Sequence, residues 1–383
     1  MVGYLVFLTI STAIFALFAL GLNLQWGYTG LINFGHVAFM TIGAYTTVLL
    51  SSYLLSLENV PILHSPAFAL LIAVLLGMVL ASVLGWLIGL STLRLRTDYL
   101  AIVTIGVSEV VRLFANNEEW LTQGTRGVQG YPLPLADFTP NLPIKLLMIG
   151  VLTAIAIFAG WQLWRGIRLK LHEFRQRNKG TKNKPFGTFI LGGLAAIFGL
   201  RIYINGVIAL YDYSYKAGLM LLALFVLALV YWGLELLVSS PWGRVLKSIR
   251  EDEEIAKALG KNVFWYKLQA FMLGGAIAGI GGSFYAWQLT NVYPNNFEPL
   301  VTFNAWTIVV LGGSGNNTGT ILGAIIYWGY DSLTRFVLPQ LGIFNTSQLG
   351  AFRVMIIGLI LMLLMVWRPQ GILGKKEELT LGR

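Results

Sequence analysis

Long apolar segments separated by short polar ones dominate the hydrophobic pattern of the chain. Runs such as residues 4–22 and 66–90 contain few polar side chains and show no alternation of period two. A helix needs about 20 apolar residues to cross a bilayer, and only helices or closed barrels satisfy their backbone groups there. The pattern therefore predicts an all-α polytopic membrane protein with about 10–11 transmembrane or re-entrant helices.

The predicted spans follow one another along the whole chain, and the short run at 303–311 has the length of a re-entrant helix. We place them at approximately residues 4–22, 38–57, 66–93, 99–115, 146–164, 186–204, 217–238, 267–289, 303–311, 320–338 and 351–367.

Two glycine-rich stretches interrupt this pattern, and each comes just before a span. One contains GYTGLINFGHVAF after the first span, and the other is GGSGNNTG before residue 320. Such paired interruptions are typical of transporters built from two related halves. The first stretch carries a polar patch, which is a candidate part of a translocation path or a set of helix caps and interhelical hydrogen bonds: Tyr28, Thr29, Asn33 and His36.

Residues 240–266, here called the polar segment, form a long charge-dense interval between apolar spans. Their sequence is SPWGRVLKSIREDEEIAKALGKNVFWY. Four acids in a row suit the N-terminus of a helix dipole, and Gly260 after a run with small alanines predicts where that helix ends. The order of features favours a docking helix over a charged loop that serves only membrane topology.

Composition agrees with a membrane protein and assigns sides to the loops. The chain is 56% hydrophobic and 11% charged, with a mean hydropathy of +0.70 and a net charge of +10. The basic residues cluster between spans, which indicates cytoplasmic anchoring rather than nucleic-acid binding. We therefore predict that the N-terminus lies outside, and that three regions lie in the cytoplasm: a basic loop at 165–185 within an inserted hairpin at about 145–205, the polar segment, and the tail at 368–383.

Charged and small residues inside the predicted spans suggest specific contacts. Glu109 and Arg112 are three residues apart, and Asp331 and Arg335 four apart, so the two side chains of each pair can form an ion pair on one face of a helix. The first pair could instead face a water-filled path and meet a zwitterionic solute. The span at 267–289 carries small residues four apart that permit close helix packing in lipid, among them Gly274, Gly275, Gly279 and Gly282.

No enzymatic motif is present in the sequence. The three histidines are scattered, no phosphate-binding GxxxxGK[ST] occurs, and no cysteine is available for a disulfide or a thiolate metal site. The chain is predicted to be no enzyme, to hold no metal or cofactor, and to depend on other subunits for any ATP hydrolysis.

The segment EIAKALG, from Glu254 to Gly260, resembles the EAA loop of ABC-importer permeases, with Ile255 in place of the first alanine. Further stretches, including GLNLQWGYTGLINFGHVAF, RLRTDYLAIVTIGVSEVVRL, VVLGGSGNNTGTILGA and WRPQGILG, are similar to the LivM-type permease subunit of branched-chain and neutral amino-acid importers. The resemblance covers most of the chain outside about 140–215, so no role is carried over to the inserted hairpin.

The resemblance implies one ABC-importer permease domain over residues 1–383, embedded in lipid in the bacterial cytoplasmic (inner) membrane. The implied partners are a LivH-type sister permease in a heterodimer, two cytoplasmic ABC ATPases and an extracytoplasmic solute-binding protein. The implied ATPase-coupling residues are Glu253, Glu254, Ile255, Ala256, Ala258, Leu259 and Gly260.

Two other functions remain open at this stage. A sister branch of similar permeases carries urea or short amides, but we expect that branch to lack the form REDEEIAKALGKNVFWYK, which favours amino acids. A secondary transporter working without ATPases would need ion-coupling groups in its spans, and the candidates, Glu109 and Asp331, each have a basic partner nearby.

Overall fold

A computed structural model of the protein describes residues 2–56, 65–94, 97–136, 138–177, 186–340, 346–367 and 370–374. Fourteen α-helices lie within these ranges. In chain order they are α1 (Val2–Leu22), α2 (Val37–Ser56), α3 (Pro66–Thr92), α4 (Thr97–Asn117), α5 (Glu119–Thr122), α6 (Leu142–Arg177), α7 (Phe186–Tyr211), α8 (Tyr215–Ser239), α9 (Pro241–Glu251), α10 (Glu253–Ala258), α11 (Val263–Leu289), α12 (Pro299–Gly312), α13 (Asn317–Gln340) and α14 (Thr346–Trp367).

The helices confirm the prediction of an all-α polytopic membrane protein. Seven helices in the described ranges are long and apolar enough to cross a membrane, and they belong to α1, α2, α3, α4, α6, α8 and α11. Shorter apolar stretches lie in α7 and α14. Helix α12 has 14 residues, which suits the re-entrant role considered for this part of the chain.

Two predicted boundaries were wrong. The first span does not end at Leu22, because the helix continues through a π-helical turn over Asn23–Gly27. The basic stretch after residue 164 was predicted as a loop, but α6 continues to Arg177 because its many Arg, Lys, Leu and Gln residues are strong helix formers. Residues 178–185 of that predicted loop lie outside the described residues, as do 368–369 and 375–383 of the predicted tail.

The chain divides into two compact units. One consists of residues 1–10 and 135–228 and contains the inserted hairpin, in which α6 packs against α7. The hydroxyl groups of Thr153 and Tyr203 lie 3.0 Å apart across these two helices. Lys145 at the start of α6 donates to the carbonyl oxygen of Tyr211 over 2.7 Å. Both contacts join the first part of α6 to the last part of α7.

The second unit consists of residues 11–134 and 229–383 and is built around α11. This helix packs against both α2 and α3, and fully buried side chains such as Phe39, Phe271 and Phe284 fill the space between helices. The opposite face of α3 is apolar and exposed, with Leu71 at 56% and Leu87 at 52% exposure. Such a surface is stable when lipid or another apolar surface covers it.

A small antiparallel ladder closes one end of this unit. Strand β1 (Val128–Gln129) pairs with β2 (Asn291–Val292), and Val128 lies opposite Val292. A 3₁₀ turn at Pro294–Phe297 follows β2 and leads directly into α12. The ladder therefore ties the loop after α4 to the entry of α12.

Candidate functional site

The polar segment folds into α9 and α10, where the sequence predicted one helix, and its last residues begin α11. Helix α9 begins with Pro241 at its first turn, a position at which proline costs no hydrogen bond. Asp252 then adopts an extended conformation, with φ −154°, and separates α9 from α10. Its Oδ1 accepts hydrogen bonds from the backbone N–H groups of Glu254 and Ile255 at 2.9 and 3.0 Å. Asp252 is thus the N-cap of α10, which the run of four acids did not reveal.

Helix α10 ends two residues before Gly260, the glycine that the sequence singled out. Gly260 has φ +75°, and its N–H donates to the carbonyl oxygen of Lys257 over 2.9 Å. The N–H of Lys261 donates to the carbonyl oxygen of Ala256 over 3.2 Å. These bonds satisfy carbonyl groups in the last turn and require a left-handed residue, for which glycine has no side-chain penalty.

Helix α10 has one face in the protein and one in solvent. Ala256 is 1% exposed and packs with Ile249 of α9 and Val263 of α11. Ile255 and Leu259 point outward, with 59% and 72% of their surface exposed. Ile255 and Leu259 therefore form a small exposed apolar surface beside the capped end of α10.

Glu253 links α10 to the long helix α11 through an ion pair. Its carboxylate lies 2.8 Å from Nζ of Lys257 and 2.5 Å from Nζ of Lys267. Partial burial opposes ionisation, but hydrogen bonds from both lysines outweigh it and hold the pKa of the Glu253 carboxyl below its ordinary value. The ion pair with Lys267 joins α10 to α11.

The two glycine-rich stretches meet in space. We call residues 23–36 the first break and residues 313–316 the second break. The side-chain Nδ2 of Asn23 donates to Oδ1 of Asn317 over 3.0 Å, and Oδ1 of Asn23 accepts from the backbone N–H of Gly315 over 2.9 Å. Asn317 also donates to Glu235 of α8 over 3.1 Å.

Residues 370–374, which follow α14, cover the second break. Backbone N–H groups of Ile372 and Leu373 donate to the carbonyl oxygens of Leu311 and Gly312 over 3.0 and 2.9 Å. Asn316 donates to the carbonyl oxygen of Leu373 over 3.0 Å. The motif WRPQGILG, part of which lies outside the described residues, therefore has a structural partner in the GGSGNNTG stretch.

The four polar residues predicted in the first break are buried, and Thr29, Asn33 and His36 form internal hydrogen bonds. Asn33 donates to Oε1 of Gln25 over 2.8 Å and lies 3.5 Å from Nδ1 of His36, whose Nε2 is 3.1 Å from the carbonyl oxygen of Phe18. A carbonyl group can only accept, so the imidazole carries its proton on Nε2. Thr29 donates to the carbonyl oxygen of Gln25.

Tyr28, at 3% exposure, lies under the Lys247 ammonium group, whose Nζ is 5.7 Å from the ring centroid. In this conformation the patch stabilises the first break, as helix caps and interhelical hydrogen bonds would. Its part in a translocation path stays a prediction.

The two ion pairs predicted within spans are formed. Nε of Arg112 lies 3.0 Å from Oε2 of Glu109, and the guanidinium group also donates to Asn295 over 3.1 Å. Nε of Arg335 lies 2.7 Å from Oδ2 of Asp331, as predicted.

Sequence spacing did not reveal that Arg353 of α14 also lies 3.6 Å from Oδ1 of Asp331. Glu235 was missed as well, although an acid within an apolar span is a signal that sequence analysis can use.

The predicted glycines of α11 lie at close helix approaches within the second unit. A Cβ atom at Gly274 would meet the backbone of Gly21, one at Gly275 the ring of Phe39, one at Gly279 the side chain of Ala81, and one at Gly282 the backbone of Met40. The glycine face therefore packs against α1, α2 and α3. Among the side chains that the structure describes, no cluster of three or more His, Asp or Glu could hold a metal ion.

Comparison with known proteins identifies the family. A family model described as "Branched-chain amino acid transport system / permease component" matches residues 4–365. The chain therefore belongs to this family of permeases, as the resemblance of its motifs implied. No solved structure matches the chain significantly.

Three curated relatives carry the name LivM and are described as branched-chain amino acid transport permease proteins. The protein of Salmonella typhimurium is 30% identical over 363 residues, which is 94% of this chain and 68% of the relative. That of Escherichia coli K12 is 29% identical over 364 residues, with the same coverage of 94% and 68%. The probable LivM of Methanocaldococcus jannaschii is 25% identical over 390 residues, which is 94% of this chain and 91% of the relative.

Proposed function

We propose that this chain is the membrane-spanning permease subunit of an ABC importer that carries branched-chain or other neutral amino acids into the cell. Its partners are a LivH-type sister permease, two ATPases on the cytoplasmic side and an extracytoplasmic solute-binding protein. ATP hydrolysis takes place on the ATPases, and the complex works in the bacterial inner membrane. Family membership supports the transport role.

The structure of α10 is the observation that supports the ATPase partnership. This helix is capped at both ends, fastened to α11 through Glu253, and presents Ile255 and Leu259 to solvent. A rigid helix with an exposed apolar pair can seat in a groove of an ATPase and transmit its closure. Movement of α10 then favours one of two conformations of the permease, outward-facing or inward-facing.

The test is reconstitution of the complete complex in proteoliposomes. We expect branched-chain amino acids to stimulate both ATP hydrolysis and uptake. Stimulation by urea alone would identify a urea or short-amide importer instead, and uptake without the ATPases would identify a secondary transporter.

Two variants test the coupling residues. We expect Gly260→Asp and Glu254→Lys to abolish uptake while the permease remains in the membrane. Gly130 offers a matched control, because it also has a positive φ (+69°) and a Cβ there would meet nothing within 4 Å. Gly130→Asp carries the same backbone strain outside the polar segment and should transport. Uptake that persists in either coupling variant would contradict the docking role of α10.

A further inference from the structure

Arg250, in the last turn of α9, lies against both breaks. Its NH1 donates to the carbonyl oxygen of Gly27 over 2.5 Å, and its NH2 is 3.5 Å from the hydroxyl oxygen of Ser314. Gly27 is the last residue of the π-helical turn, and Ser314 lies within the second break. One half-buried side chain therefore connects the polar segment to two stretches that are almost 290 residues apart in sequence, at positions 27 and 314.

The rest of α9 fits the same surface. The aliphatic part of Arg250 lies over Gly30, where an added Cβ would be 3.8 Å from Cγ of the arginine. One turn earlier, Lys247 lies over the ring of Tyr28. Leu246 and Ile249, on the inner face of α9, are 0% and 4% exposed. Helix α9 therefore packs on the first break through Arg250 and Lys247, whereas Ile249 packs against Ala256 of α10 and Val263 of α11.

The chemistry of arginine suits this position. The end of a helix leaves carbonyl groups without backbone donors, and Arg250 supplies one to Gly27. A planar guanidinium group directs several N–H groups in fixed directions, so it can hold acceptors on two separate segments. Lysine has a single ammonium nitrogen and cannot reproduce that geometry. Hydrogen bonds from a charged donor are also stronger than those between neutral groups.

We infer that Arg250 is a positioning residue that transmits movement of the polar segment to both breaks at once. Helix α9 connects to α10 through the single residue Asp252, so a displacement of α10 moves Arg250 with it. The carbonyl of Gly27 and the hydroxyl of Ser314 follow, and Asn23 keeps the two breaks together. This inference rests on the proposed function of α10 as the helix that receives the force of the ATPases.

The experiment measures amino-acid uptake per ATP hydrolysed in proteoliposomes that contain the complete complex. We expect Arg250→Gln to assemble with the ATPases and hydrolyse ATP, but to lower uptake per ATP about tenfold, as for the loss of one charge-assisted hydrogen bond. Uptake per ATP in Arg250→Lys should be only slightly higher than in Arg250→Gln. Arg244 provides a matched control on the same helix, because it is exposed and donates to the carbonyl oxygen of Ser239 over 3.4 Å. Arg244→Gln should keep the wild-type ratio.

A second readout follows the first break itself. The chain contains no cysteine, so Ile32→Cys gives this subunit a single thiol in the half-buried part of the first break. The maleimide labelling rate of this cysteine should change when ATP binds, and Arg250→Gln should abolish that change. Ser314→Ala, which keeps Arg250, should reduce the change in part, and it serves as the test if Arg250→Gln does not assemble.

The possible outcomes separate this inference from the proposed function. Wild-type uptake per ATP in Arg250→Gln, or an unaltered ATP-dependent labelling change in it or in Ser314→Ala, would overturn the role of Arg250. An equal fall in uptake per ATP in Arg244→Gln would also overturn the role of Arg250, because the loss of any positive charge on α9 would then explain the effect. Failure of the proposed function would appear differently, as absence of ATP-driven amino-acid uptake in the wild-type complex.

Discussion

Replacing Gly282 by alanine tests how tightly α2 and α11 are packed. A Cβ atom at this position would lie 2.9 Å from the carbonyl carbon of Met40 and 3.0 Å from the backbone nitrogen of Ala44. The carbonyl oxygen of Met40 would lie closer still to the added Cβ. Because non-bonded heavy atoms pack best at about 3.5–4.0 Å, the two helices must separate by roughly one ångström or more. Neither contact is with a flexible side chain that could turn away.

The separation costs more than alanine contributes to the helix. Overpacking of this kind costs about 1–3 kcal/mol, and the higher helix propensity of alanine returns up to about 1 kcal/mol. Because the clash at Gly282 is with backbone atoms, the cost should lie in the upper part of this range, about 2–3 kcal/mol, which leaves a net loss of about 1–2 kcal/mol in the free energy of unfolding. The loss should appear as a lower melting temperature of the purified permease, followed by the fluorescence of its 12 tryptophans and by size-exclusion chromatography.

Gly281 is the matched control, because it is the adjacent residue on the same helix and is also buried. The nearest atoms to a Cβ there, the Ile14 carbonyl oxygen and the Phe18 backbone nitrogen, are both 3.6 Å away, an ordinary contact. Gly281→Ala should melt at or above the wild-type temperature. If both variants lose the same stability, or if Gly282→Ala melts like the wild type, close backbone packing is not what Gly282 provides.

Three further predictions follow from the polar contacts. We expect Glu253→Gln to reduce uptake by the same factor at every pH between about 6 and 8. The lowered pKa of the Glu253 carboxyl keeps its ion pair with Lys267 intact above the ordinary carboxyl range, and the pair is lost only in acid. A pH series of uptake rates checks this, and a loss confined to one end of the range would contradict it. Asp331→Asn should lower the melting temperature, since Arg335 and Arg353 lose their shared counter-charge; a melting temperature equal to that of the wild type would refute the pairing. Asn23→Ala should lower the free energy of unfolding by about 2 kcal/mol or more, because it leaves the buried Oδ1 of Asn317 and the half-buried N–H of Gly315 without their partner. A melting temperature equal to that of the wild type would contradict this role of Asn23.

Much of the fold was predictable because the bilayer imposes a simple rule on the sequence. Long apolar runs must become helices, so most spans were placed within a few residues of their observed bounds. Pairs three or four residues apart were predictable too, because helix geometry alone brings Glu109 to Arg112 and Asp331 to Arg335. Gly260 ended its helix as expected, since a left-handed residue is a local requirement.

Predictions failed where a boundary depended on neighbours. The π-helical turn at Asn23–Gly27 extends α1 although glycines follow, because Asn23 is held by Gly315 and Asn317 from the other end of the chain. The basic part of α6 continued as helix where its charge suggested a loop. The division of the polar segment at Asp252 was also missed, since acids suit both a cap and a first turn.

The sequence by itself determined the membrane class, the family and the candidate coupling residues, because these rest on local pattern and on short motifs. The tertiary structure alone decided that the two glycine-rich breaks meet, that the chain end covers one of them, and that Arg250 contacts both. Such contacts join residues separated by hundreds of positions, and no periodicity along the chain encodes them. They arise because buried polar groups at interrupted helices must find donors and acceptors, and the packed neighbours supply them.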